Sequence, residues 1–126
     1  CGRVAYEVEA ELESIVHCHC ETCRKTHASA FSSLAAVPAD RFRWTRGEEA
    51  LGAFESSPGK LRRFCTVCGS HLVAEREGRG TVMLRLGCLE TPVTVERQWH
   101  IWRSDGASWY DPNAAYPQFA EGVPQG

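Results

Sequence analysis

Leu61-Arg62-Arg63-Phe64-Cys65-Thr66-Val67-Cys68-Gly69-Ser70-His71-Leu72-Val73-Ala74-Glu75 is the stretch on which the fold turns. Its centre, from Phe64 to Ser70, has the form of a zinc knuckle, in which two cysteines three apart let one tight turn present both sulfurs to one metal. Gly69 permits the positive φ that turns the backbone, so that nearby N–H groups can point at the thiolates and spread their charge. A CxxC pair also serves as a redox dithiol, usually at the start of a helix in a βαβ unit. Here β-branched Val67 and turn-forming Gly69 lie between two strand-like arms, residues 61–64 and 71–75, which favours the metal reading.

Outward from the knuckle the same two-residue period recurs. Val4, Tyr6 and Val8 alternate with Ala5 and Glu7, and Val82, Leu84 and Leu86 alternate around Arg85. Residues 14–18, 31–37, 42–45, 51–55 and 93–102 are further strand candidates, and only residues 21–27 suggest a helix. Pro38-Ala39-Asp40, Ser56-Ser57-Pro58-Gly59 and Gly78-Arg79-Gly80 carry turn chemistry, the last two between runs able to pair as hairpins. Many strands, frequent turns and little helix predict a mainly β protein, an antiparallel sheet or sandwich in a single domain. Residues 111–126, with Pro112, Pro117 and Pro124, are expected to wrap the surface or fray.

The chain has 126 residues, 43% of them hydrophobic and 24% charged, enough to bury one core and too regular for a disordered or collagen-like protein. No run approaches the ~18 apolar residues of a membrane span, so no membrane role is expected. Fourteen Lys and Arg against sixteen Asp and Glu leave a charge of −2, without the basic excess that phosphate-backbone binding needs, and nucleic acid is not an expected partner. The first residue is Cys1, with no Met and no basic, apolar leader, so residues ahead of it are expected to have been processed away or not represented. Seven cysteines, an odd number with close spacings, fit thiolate ligands in a reducing, cytoplasmic setting; a secreted disulfide protein is the alternative.

A closed structural site needs four ligands, and Cys65 with Cys68 supplies two. Cys1 is the expected third, because Gly2 follows it as Gly69 follows Cys68; the fourth is either upstream or a substitute such as His71. Cys18-His19-Cys20-Glu21-Thr22-Cys23 is the sharper signal. On a strand, positions 18 and 20 face the same way, and a turn after Glu21 returns Cys23 to the same centre. Three sulfurs from one loop leave a position for water or substrate, the layout of a reactive zinc. The alternative is a second closed site completed by His17, His19, His27 or Cys88.

With these pieces in hand, the chain resembles the glutathione-dependent formaldehyde-activating enzyme family, whose domain is shared with centromere protein V. The matching segments are Cys1-Gly2-Arg3-Val4-Ala5-Tyr6, His17-Cys18-His19-Cys20-Glu21-Thr22-Cys23-Arg24-Lys25, Phe42-Arg43-Trp44-Thr45-Arg46-Gly47-Glu48, the knuckle itself, Leu86-Gly87-Cys88-Leu89-Glu90 and His100-Ile101-Trp102. The resemblance implies a zinc-bearing β-tent over residues 1–112, with residues 113–126 an irregular tail. It implies two zinc sites: Cys1, Cys65 and Cys68, joined in the family by a cysteine two residues before Cys1, and Cys18, Cys20 and Cys23; with only three nearby ligands, the second is expected to be more labile and partly occupied. It also implies the family reaction, formation of S-hydroxymethylglutathione from glutathione and formaldehyde, a carbon–sulfur lyase when written in reverse.

On this expectation Cys18, Cys20 and Cys23 are the catalytic residues, holding zinc that lowers the pKa of a small-molecule thiol such as glutathione. Arg24 and Lys25, or Arg62 and Arg63, would bind the glutathione carboxylates unless they form ordinary solvated surface. Trp44, Trp99, Trp102, Trp109 and Tyr110 are expected in the core, with a cleft lining as the alternative. A non-catalytic zinc-stabilised thiol-binding or interaction module is the second function class, and a redox enzyme using Cys88 the third. Cys88 is expected to pack as a small hydrophobe.

Overall fold

The computed structural model describes residues 1–125. Nine strands and one helix follow in the order β1 (Ala5–Val8), β2 (Ile15–Cys18), α1 (Glu21–His27), β3 (Ser32–Pro38), β4 (Phe42–Arg46), β5 (Leu51–Ser57), β6 (Lys60–Cys65), β7 (His71–Arg76), β8 (Thr81–Arg85) and β9 (Gln98–Ile101), with short 3-10 turns between some of them. The fold is mainly β, as the alternation predicts. Gly59 and Gly78 adopt φ near +75° in the β5–β6 and β7–β8 turns, a conformation that costs a side-chain-bearing residue ~1–2 kcal/mol.

Seven strands form one sheet in the order β5-β6-β7-β8-β3-β2-β9, and β1 pairs with β4 in a separate two-stranded layer. The expectation of purely antiparallel pairing fails at one place, since β9 runs parallel to β2, with His17 beside His100 and Cys18 beside Ile101. The expected strand over residues 93–102 contracts to Gln98–Ile101, because β2 offers an edge only from Ile15 to Cys18. Residues beyond the 3-10 turn at Arg103–Asp105 form no strand or helix among those described.

Register fixes what each face of the large sheet carries, because directly paired residues share a face and neighbours along a strand do not. Val73 opposite Leu84 and Val37 opposite Val82 lie on one face. With Cys65 and Leu72 they form the core, against which Val4, Tyr6 and Val8 of β1 and Phe42 and Trp44 of β4 pack. Helix α1 packs against β3, and the arginine fork described below joins it to the opposite face. Trp44 meets the core expectation, edge-on to Tyr6 and Phe42. Trp99, Trp102 and Trp109 do not: they are 42%, 60% and 68% exposed, on or beyond the parallel edge strand.

Candidate functional site

Two groups of three cysteines converge in space, each with its sulfurs within 4.8 Å of one another. In the first, Cys1 reaches across 64 positions to place its Sγ 3.8 Å from that of Cys65. Gly2 and Gly69 both take positive φ, +80° and +79°, so each cysteine is followed by the expected turn. The Gly69 N–H donates to the Cys65 carbonyl at 2.8 Å rather than to a sulfur, so this amide closes the knuckle's turn. Cys68 is exposed and lowered to about 7, first through its hydrogen bond with Ser70. His71 is not part of the group; its ring lies against Phe64 and His27.

The second group is Cys18, Cys20 and Cys23, at the end of β2 and the start of α1. Strand alternation turns Cys18 toward the face opposite the core, beside Ser32. Cys20 caps α1, its Sγ accepting from the Cys23 N–H at 3.4 Å, and the first turn of the helix carries Cys23 back to the other two sulfurs. Cys18 and Cys23 are buried and Cys20 is half-buried. Cys23 is drawn down to about 5, first by its hydrogen bond with Cys18 and then, against the opposing effect of burial, by Cys20, Arg62 and Arg85. Cys18, the partner in that bond, is pushed up. Three soft sulfur donors this close together suit a thiophilic divalent metal such as zinc. Burial runs against the expected order of lability, since the first group has two exposed members, Cys1 and Cys68, and the second has none.

Among the described residues no fourth ligand joins the second group. His19 is fully buried on the other side of the strand, with Nε2 2.7 Å from His100 Nδ1 and Nδ1 3.1 Å from an Arg103 nitrogen. His17 bonds Ser33 and Gln98, His27 packs on His71, and Cys88 donates its S–H to the His71 carbonyl at 3.0 Å. Burial raises the Cys88 thiol, the opposite of what activates a nucleophile.

Of the residues expected near the carboxylates, Lys25 is exposed and paired with Glu21 at 2.6 Å, and Arg24 donates from Nε to the Asp105 carbonyl at 3.0 Å. Arg63 is paired with Glu75. Arg62 lies beside the second triad rather than the knuckle it adjoins in sequence, with both terminal nitrogens 3.9 Å from Cys23 Sγ and Nε on Ser56 Oγ at 2.9 Å. Arg85, which local sequence did not single out, donates to Ser32 Oγ at 2.9 Å, next to Cys18. A cavity of about 620 Å³ lies on the opposite face, between β1 and the large sheet, and is lined by the first triad, Tyr6 and Cys88.

The profile of the family described as glutathione-dependent formaldehyde-activating enzyme matches residues 1–105. The chain belongs to this family. A Colletotrichum graminicola protein provisionally named a glutathione-dependent formaldehyde-activating enzyme is 33% identical over 60 residues, covering 48% of this chain and 31% of that protein. This chain therefore matches about a third of that relative's length. A solved Rhodobacter sphaeroides structure superposes with a TM-score of 0.59 at 24% identity over 73% of this chain and 84% of that one, a likeness of fold. No helix of the family member described here is long and apolar enough to cross a membrane.

Proposed function

We propose that this chain joins the thiol of glutathione to formaldehyde, or cleaves the product S-hydroxymethylglutathione, at Cys18, Cys20 and Cys23, with zinc as the metal at both cysteine groups. The observation that carries the reading is the second triad: three sulfurs within 4.8 Å, no fourth protein donor among the described residues, and two buried guanidiniums alongside. Zinc, when held there, would lower the pKa of a thiol that joins the three sulfurs. The chain's own residues hold the cysteines in place: β2 aims Cys18, the cap bond fixes Cys20, and the Arg62 fork bears on Cys23. In the reaction the thiol sulfur bonds to the carbonyl carbon, the C–O π bond opens onto oxygen, and the proton lost by the thiol ends on that oxygen. No oxidant or reductant is consumed.

The functional unit is taken as residues 1–112, with residues 113–126 outside it, acting in the cytoplasm where thiols stay reduced; seven free cysteines support that compartment. The test is exchange of ¹³C-formaldehyde with glutathione followed by NMR. The zinc-loaded protein should exceed the uncatalysed rate, and Cys20→Ser should return the rate to that baseline. A parent protein no faster than buffer would overturn the enzyme reading and leave a thiol-binding module in its place.

A further inference from the structure

The seven-stranded sheet is electrically one-sided. Its strands contain two carboxylates, Glu55 and Glu75, and both lie opposite Leu61, on the core face. On the other face Lys60 lies opposite Arg76, Arg62 opposite Ala74, and Ala74 opposite Met83. That face continues through Ala36, opposite Met83, and Leu34, opposite Arg85, to Ser32, opposite Cys18. Four cations thus share a face with the second triad and with no strand carboxylate. Arg62 and Arg85 are only 3% and 4% exposed, and among the described residues neither has an acidic partner.

Burying a guanidinium without a counter-charge is costly, and a buried N–H without an acceptor adds to the cost. Arg62 offsets part of this through Ser56 and the Cys23 sulfur. Arg85 has the nearby charge of Cys23 and donates one terminal nitrogen to Ser32, but the other, Nη2, is buried with no partner. His27 Nε2, from α1, is likewise buried and unpartnered. Burial and the charges of Arg62 and Arg85 hold the half-buried Lys60 below its usual range, so these groups form one connected basic patch. A carboxylate, with two oxygens and several lone pairs, supplies the acceptors and the charge this patch lacks.

We propose that Arg85, with Lys60 and Arg62 beside it, receives a carboxylate of the thiol substrate, so that the site selects acidic thiols over neutral ones. This deepens the thiol reading and rests on it. It places the carboxylate contact on the sheet face, with β3 between Arg85 and Cys18, rather than on Arg24 and Lys25.

The test titrates the zinc-loaded protein with glutathione and with glutathione diethyl ester, whose carboxylates are masked, reading Kd by calorimetry and zinc content separately. The parent should bind glutathione about tenfold more tightly than the ester. Arg85→Gln should abolish that preference, its glutathione Kd rising to its own ester Kd. Because Arg85 is buried, Lys60→Gln serves as a second variant, expected to cut the preference about threefold. Equal binding of the two thiols by the parent overturns the receptor alone. So does a preference that survives intact in Arg85→Gln, or in Lys60→Gln where Arg85→Gln does not fold. A parent that binds neither thiol overturns the thiol reading and the receptor together.

Discussion

Among single residues, Cys20 and Cys88 are chemically alike and differently placed. Cys20 joins two other sulfurs and caps α1, while Cys88 donates to a backbone carbonyl and burial raises its thiol. Cys88→Ser should therefore keep the full metal content and any thiol-dependent activity, and Cys20→Ser should lose one metal and that activity, as metal analysis beside the formaldehyde exchange assay would read. Loss of turnover in Cys88→Ser at full metal content would replace the zinc–thiol reading with the redox one. His27 gives a pH dependence. It is lowered from 6.5 to about 4, first by burial and then by Arg85, His71 and Arg62. The folded state thus holds it neutral, and its contribution to stability is complete above about 6.5 and is lost as the pH falls through about 4. Urea unfolding at pH 7.5 and 4.5 should show a smaller acid loss in His27→Gln than in the parent, and an equal loss would remove His27 as a source.

At the level of elements, β2 shows how alternation divides chemistry between two faces. Cys18 and the following Cys20 go to one side, while His17 and His19 go to the other. Arginine can only donate, so His19 Nδ1 accepts from Arg103, its Nε2 carries the proton, and His100 Nδ1 accepts in turn. This chain ties the loop after β2 to β9 and the turn beyond it, holding the strand end that presents the cysteines. Arg103→Ala leaves a buried imidazole nitrogen without its donor and should cost ~1–3 kcal/mol of unfolding free energy in denaturant titration. A change below about 0.5 kcal/mol would mean that Arg103 acts only as surface. The sequence announced β2 and its cysteines through spacing, but His100 and Arg103 carried no local signal for their role, because their partner lies more than eighty residues earlier.

For the molecule as a whole, the two cysteine groups lie on opposite faces of one sheet and differ in what they hold together. The first joins Cys1, just ahead of β1, to the knuckle and the core through Cys65; the second joins one strand to one short helix. A chelator should remove metal first from the group with exposed Cys1 and Cys68, and that loss should lower the thermal midpoint, because it frees the β1–β4 layer from the core. Release of the buried group should follow more slowly with smaller change in circular dichroism; the reverse order would show that the open coordination of the second group outweighs its burial. The sequence by itself determined the strands, through a two-residue period that sorts apolar from polar side chains, and the turns, through glycines at positive φ. It also determined the local cysteine geometry, because CxxC and CxCxxC need only one turn of backbone to converge. The tertiary structure alone decided that β9 lies parallel to β2 and that Lys60, Arg62, Arg76 and Arg85 share a face with the second triad. The physical reason is that periodicity records which way a side chain points within its own strand. Strand order and register, set by burying the common core, decide which strands become neighbours and therefore which charges and sulfurs meet.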